Sequence, residues 1–216
     1  MSIPPRRGPR PGATSGRGTL KSIGRMETDF YPPLRDWMAG IDFSVTALKA
    51  GDRAPNFFLP DENARLVSLA SLLAQGPVIL DFLCGSWSSF CLSKLSALIA
   101  ALREQSATIV AITAETGRYP RAMKSQNRFA CLVLCDVDYG VELKFGLINA
   151  VPPTIAAQMA ARGVDLAGMH GVTKPMLTAP AIYVIAPSRK IIYAKVDADC
   201  LAPADTDSVL QALASA

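Results

Sequence analysis

Histidine is nearly absent. The chain of 216 residues has one, His170, in a Gly-rich stretch. Without paired histidines or regularly spaced cysteines, the ligand set of a transition-metal site is missing, so no metal centre is expected. His170 itself reads as a solvated loop residue. Long apolar runs are also absent. No segment approaches the length of a membrane span, and the N-terminus lacks the apolar core of a secretory signal. Acids are missing from residues 1–26, which carry Arg6, Arg7, Arg10, Arg17, Lys21 and Arg25. Taking those six away leaves 16 basic against 18 acidic groups in the remainder. The net charge of +4 therefore belongs to the tail, and the slightly acidic body argues against a nucleic-acid-binding surface. Five cysteines, an odd number without regular spacing, do not make a disulfide framework. They point to free thiols in a reducing compartment, the cytoplasm by default.

Residues 1–26 are rich in Pro, Gly, Ser and Arg and cannot bury enough apolar surface to offset their ordering entropy. A disordered, solvated tail is expected there. An organellar targeting peptide and a start at Met26 are the other readings. Residues 27–47 read as a helical lead-in broken by Pro32 and Pro33. The domain proper is placed at 48–216. "NFFL" and "RLVSL" flank the turn-rich "PDENA" and predict a hairpin. "PVILDFL", "ATIVAIT" and "CLVLCD" are short apolar runs typical of strands buried on both faces. From Ser89 onward, Cys91, Leu95, Leu98 and Leu102 form a stripe at helical spacing. "YPRAMKSQNR", "DYGVELKFGL" and "PPTIAAQMAARG" read as helices. "AIYVIAPSRKIIYAKVD" reads as a strand, a turn and a strand, and "PADTDSVLQALAS" as a closing helix. Strands alternating with helices and ending in a hairpin plus helix give an α/β fold with a mixed central sheet.

The order of these segments resembles the peroxiredoxin version of the thioredoxin fold, the alkyl hydroperoxide reductase and thiol-specific antioxidant family. "LKAGDRAPNFFLPDENARLVSLASLL" is similar to the family's Gly-Asp-x-Ala-Pro-x-Phe opening. "GPVILDFLCGSWSSFC" is similar to its strand and active-site loop, and "LVLCDVDYGVELKFGL" and "APAIYVIAPSRKIIYAKVDAD" to its later segments. The resemblance covers about residues 48–213. It implies a thioredoxin-like three-layer sandwich with flanking helices and an N-terminal hairpin.

The loop departs from the pattern in an informative way. A bacterial subgroup reads Trp-Cys-Pro-Tyr-Cys where this chain reads Trp87-Ser88-Ser89-Phe90-Cys91. The wider family reads Pro-x-x-x-Thr/Ser-x-x-Cys, and Cys84-x-x-x-Ser88-x-x-Cys91 lacks only the proline. The serine that would disable a dithiol site is thus the hydroxyl expected of a peroxidase site. Cys91 falls in the first turn of a helix, where backbone N–H groups and the helix dipole favour a thiolate. Ser88 or Ser89 reads equally well as the helix N-cap. The opposing reading of Cys91 is a small apolar residue buried with Leu95, Leu98 and Leu102.

On the resemblance, Cys91 is the nucleophile, Ser88 the positioning hydroxyl, and Trp87 and Phe90 the apolar walls. Cys84 and Cys200 are candidate resolving thiols. A Cys84–Cys91 bridge is expected to need a bent loop or an unwound helical turn. Cys131 and Cys135 read as buried strand residues. Pro180, before "AIYV", matches the family's cis-proline, which exposes backbone to a thiol-bearing partner. The arginines that steady the family's thiolate have no counterpart, and Arg118 or Arg121 are the substitutes to examine.

The resulting expectation is a thiol-dependent peroxidase that reduces hydroperoxides, with thioredoxin or glutathione as reductant and no cofactor. Neither nucleic acid nor membrane is expected as a partner, and a homodimer is compatible with the reading. The rival is a redox-silent thioredoxin-fold binding module. Glutathione conjugation through Ser88 is a minor third reading. An exposed, acidic Cys91 would favour the peroxidase; a buried, inert one the binding module.

Overall fold

A computed structural model describes residues 32–198 and 203–215. The basic tail, the first part of the lead-in and Cys200 lie outside the described residues. From the first described residue, Pro32, the chain is helical to residue 39 (α1). Pro32 and Pro33, expected to break the lead-in, lie within this helical stretch. Leu34 and Met38 of α1, and Phe43 of α2 (Phe43–Thr46), are buried in the same core as the sheet.

The hairpin β1 (Phe58–Pro60) and β2 (Leu66–Ser68) pairs antiparallel, Leu59 opposite Val67. Ser68 ends β2 and caps α3 (Leu69–Leu73) by accepting the Ser71 N–H. The main sheet holds β3 (Val78–Phe82), β4 (Thr108–Thr113), β5 (Leu132–Cys135), β8 (Ala181–Ile185) and β9 (Ile191–Val196), in the order β5-β4-β3-β8-β9. β3 is central, parallel to β4 and antiparallel to β8. All five residues of β3 and of β8 are buried, as their apolar composition predicts for strands covered on both faces.

Helices cover the two faces. α4 (Ser89–Leu102) and α9 (Thr206–Ala214) lie on one, where Leu98, Leu102 and Val209 pack with Ile79, Ile182 and Val184. On the other, Phe145 and Tyr183 pack with Phe82, ring centroids 4.9 Å and 5.8 Å from it. α5 (Arg118–Asn127) and α6 (Gly140–Lys144) follow β4 and β5. This is the thioredoxin-like three-layer arrangement with a mixed sheet and an N-terminal hairpin.

The long stretch after residue 147 builds a second small layer. β6 (Ile148–Ala150) pairs with β7 (Met176–Thr178), and between them lie α7 (Pro153–Ala161) and α8 (Leu166–His170). Ile155, Met159, Leu166 and Met169 join the core. The end of α8 meets the end of β4, where the Thr116 N–H donates to the Met169 carbonyl at 3.0 Å. His170 corrects the sequence reading. It is buried, and its Nδ1 lies 2.8 Å from the Tyr139 hydroxyl. The flanking glycines suggested solvent, but α8 turns the ring inward onto Tyr139.

Candidate active site

β3 delivers the chain to the site. Past Phe82 it runs through Leu83 and Cys84 into a tight turn. Gly85 takes φ +148°, and a Cβ there would sit 2.2 Å from the Trp87 indole nitrogen. The indole therefore lies over the Gly85 backbone, and only glycine leaves room for it. The Ser88 N–H donates back to the Gly85 carbonyl at 3.3 Å. Ser88 then starts α4, its hydroxyl accepting the Cys91 N–H at 3.3 Å. Of the two serines, Ser88 is thus the N-cap. Cys91 becomes the third residue of the helix, the position at which a capping box places its acid.

The two sulfurs meet. Cys84 Sγ and Cys91 Sγ are 3.1 Å apart, with the first turn of α4 intact. The expected need for a bent loop or an unwound turn is therefore corrected: the Gly85 turn already folds Cys84 back onto the helix start. The cysteines are 3% and 2% exposed, and Ser88 is fully buried. The Cys84 thiol, hydrogen-bonded to Cys91, draws the Cys91 thiol from 9.0 down to about 7. Burial works against this, and Ser88 and the charge of Lys94 support it. Cys91 is consequently buried and acidic, a combination that neither sequence expectation described.

Four charged residues missed in the sequence surround the pair. Asp81 lies on β3, buried, with no hydrogen-bond partner on Oδ2. Burial, and then the nearby Cys91 charge, push its carboxyl well above the ordinary range. Lys94, one turn after Cys91, forms a partly buried ion pair with Asp197, just after β9. Glu115, just beyond β4, accepts both the N–H and the hydroxyl of Ser86, at 3.0 Å and 2.9 Å. Burial raises its carboxyl to about 7 despite these bonds. An acid inside the apolar run "PVILDFL" was a readable signal, as was a lysine three positions after the cysteine. Asp197 and Glu115 carry no local signal, because their partners are 103 and 29 residues away.

The remaining candidates separate. Trp87 and Phe90 are half-buried and pack against the core, in keeping with apolar walls. Cys131 and Cys135 are buried as expected, and burial raises them to about 12 and 11. Arg118 is committed over the Tyr119 ring and Arg121 donates to the Glu62 carbonyl, so Lys94 supplies the cation near Cys91. Pro180 is a correction. No peptide bond among the described residues is cis, and Pro180 is buried. Ala179 and Pro180 link β7, in the small sheet with β6, to β8 in the main sheet. The Ala179 N–H bonds the Leu147 carbonyl, and the Pro180 carbonyl accepts the Asp197 N–H, each at 2.8 Å. The trans bond is the lower-energy isomer. With its carbonyl taken, Pro180 does not offer the exposed backbone expected of it. Among the described residues, no three His, Cys, Asp or Glu side chains come together as metal ligands. No described helix is long and apolar enough to cross a membrane.

Comparison with known proteins places the fold. Peroxidoxin BcpB from Mycobacterium tuberculosis superposes with a TM-score of 0.60 at 22% identity, over 78% of this chain and 97% of that one. A thiol peroxidase from Chromobacterium violaceum gives 0.61 at 15% identity, over 78% and 88%. A peroxiredoxin-like protein from Aquifex aeolicus gives 0.60 at 13%, over the same shares. At these identities the likeness establishes the fold. No curated protein matches the chain. Residues 50–194, more than half of the sequence and including the whole cysteine loop, match the AhpC/TSA family, and the chain belongs to that family.

Proposed function

We propose that the protein is a thiol-dependent peroxidase in which Cys91 is the nucleophile and Cys84 the resolving thiol. The observation that carries this is the 3.1 Å approach of the two sulfurs at the capped start of α4. The Cys91 thiolate attacks one peroxide oxygen and the O–O bond breaks. Cys91 becomes a sulfenic acid, and the other oxygen leaves as alcohol or water after taking a proton. Asp81, whose carboxyl burial and then the nearby Cys91 charge push above the ordinary range, is the candidate source of that proton. The Cys84 sulfur then attacks the sulfenic sulfur. An S–S bond forms, the S–O bond breaks, and water leaves with the Cys84 proton. An external thiol, from thioredoxin or glutathione, returns the disulfide to two thiols in a reducing compartment such as the cytoplasm. The burial of both sulfurs favours small hydroperoxides over bulky ones.

Burial of Cys91 is what favours the second reading, a redox-silent binding module. One experiment separates the two. The reduced Cys84→Ala variant is treated with a slight excess of hydrogen peroxide, and sulfenic acid is trapped with a dimedone-type reagent and mapped by mass spectrometry. The peroxidase reading expects an adduct on Cys91 at pH 9, where the thiol ionises without help from Cys84, and its absence from Cys84→Ala/Cys91→Ser. An unmodified Cys91 under conditions that oxidise free cysteine would support the binding module.

A further inference from the structure

Ser86 is the midpoint of the turn between Cys84 and Ser88, and both of its donors point to a single atom. Its backbone N–H and its hydroxyl donate to Glu115 Oε1, at 3.0 Å and 2.9 Å. Glu115 is fully buried. Its own N–H is tied to the Thr113 hydroxyl at 3.2 Å. The next residue, Thr116, is tied through both N–H and hydroxyl to the Met169 carbonyl, which belongs to the α7–α8 layer. The carboxylate is thus anchored by the end of β4 and backed by α8, while the turn it grips is otherwise held by Gly85, Trp87 and Ser88.

We infer that Glu115 is a positioning residue for the cysteine pair: through Ser86 it fixes the turn that holds the Cys84 sulfur against Cys91. The inference rests on the reading of Cys84 and Cys91 as the reactive pair. Glu115 touches neither sulfur in this role. A turn of four residues between two cysteine-bearing elements has many conformations, and two hydrogen bonds to a buried carboxylate select one of them. A buried donor that loses its acceptor carries the full cost of its desolvation, so loss of these bonds is felt at the turn. A disulfide needs sulfurs about 2.05 Å apart. From 3.1 Å, closure requires a shift of about 1 Å, whereas a freed turn must first find that geometry again.

This role makes two expectations that a purely structural role does not. Loss of the grip releases Cys84 from Cys91, so the Cys91 thiol becomes less acidic in the folded protein. Disulfide closure, in which Cys84 displaces hydroxide from the Cys91 sulfenic acid, slows by about tenfold or more. The test is a cycle. The pH dependence of Cys91 alkylation is measured for the wild type, Glu115→Leu, which has no acceptor for Ser86, Cys84→Ala and the double variant. The rate of closure after a peroxide pulse is measured for the wild type and Glu115→Leu. Glu115→Leu is expected to raise the Cys91 thiol when Cys84 is present and to leave it where Cys84→Ala has already put it when Cys84 is absent. Closure slows in parallel. Ser86→Ala is expected to reproduce part of both effects and Ser86→Thr to restore them, which keeps the test open if Glu115→Leu folds poorly. The inference is overturned if the Cys91 thiol and closure rate are unmoved, or if Glu115→Leu shifts Cys91 equally in the Cys84→Ala background. The alkylation cycle needs no peroxide turnover. A wild type inert to peroxide would refute the peroxidase while leaving the cycle readable, and an additive cycle would refute the latch while leaving the peroxidase standing.

Discussion

Removing one hydroxyl, in Ser88→Ala, perturbs two properties at once because Ser88 serves both the helix and the thiol. Its oxygen accepts the Cys91 N–H at 3.3 Å, the cap of a 14-residue helix, in a fully buried position. Losing such a cap costs about 1 kcal/mol, within a range of roughly 0.5–2 kcal/mol. In a domain of this size that lowers Tm by about 2–4 °C. The same hydroxyl helps hold Cys91 near 7 against its ordinary 9.0. A full return to 9.0 would cut the thiolate fraction at pH 7 about fifty-fold. Cys84 remains as the larger influence, so the expected loss of reactivity at pH 7 is smaller, about threefold to tenfold. The assay is the rate of iodoacetamide alkylation of Cys91 across pH, beside a thermal melt. Ser88→Thr retains the oxygen and is expected to stay near the wild type in both. An alkylation profile with its midpoint still near 7 in Ser88→Ala, together with an unchanged melt, would refute the reasoning.

Other perturbations follow from the same geometry. Gly85→Ala must keep φ +148° and place a methyl 2.2 Å from the Trp87 indole nitrogen, so it is expected to destabilise by about 1–3 kcal/mol and shift Trp87 fluorescence. Lys94→Met removes the cation from a partly buried pair and leaves the Asp197 carboxylate without its lysine. A loss of about 1–3 kcal/mol in urea unfolding is expected, between the exposed and the fully buried cases, with Lys94→Met/Asp197→Leu recovering most of it. Burial depresses His170 from 6.5 to about 4, so the folded state favours the neutral ring. Its contribution is complete above pH 6.5 and is lost as pH falls toward 4, because the unfolded chain binds the proton first. The stability difference between the wild type and His170→Gln is expected to shrink by up to about 3 kcal/mol between pH 7 and pH 4, and a pH-independent difference would contradict it.

The elements best read from the sequence are those with a long, consistent pattern. β3 and α4 are one apolar run followed by a stripe at Cys91, Leu95, Leu98 and Leu102, and the structure has them where the pattern places them. α2, α3 and α8, of four or five residues, have too few turns to show a period. At the site, Ser88 and Cys91 were legible because their roles depend on neighbours three residues apart. The approach of Cys84 was not, because it depends on the φ of Gly85 and on the grip of Glu115, 29 residues from Ser86. Lys94 was missed for a different reason: the cation was sought among arginines, and its partner Asp197 is 103 residues away.

The most direct test of the account is a thiol count and disulfide map after one equivalent of hydrogen peroxide is added to the fully reduced protein. The proposed chemistry predicts loss of two thiols per chain, a single intramolecular Cys84–Cys91 disulfide, and its reversal by thioredoxin or glutathione. Two free thiols at Cys84 and Cys91 after the peroxide is consumed elsewhere, or a disulfide joining Cys91 to a different cysteine, would contradict it.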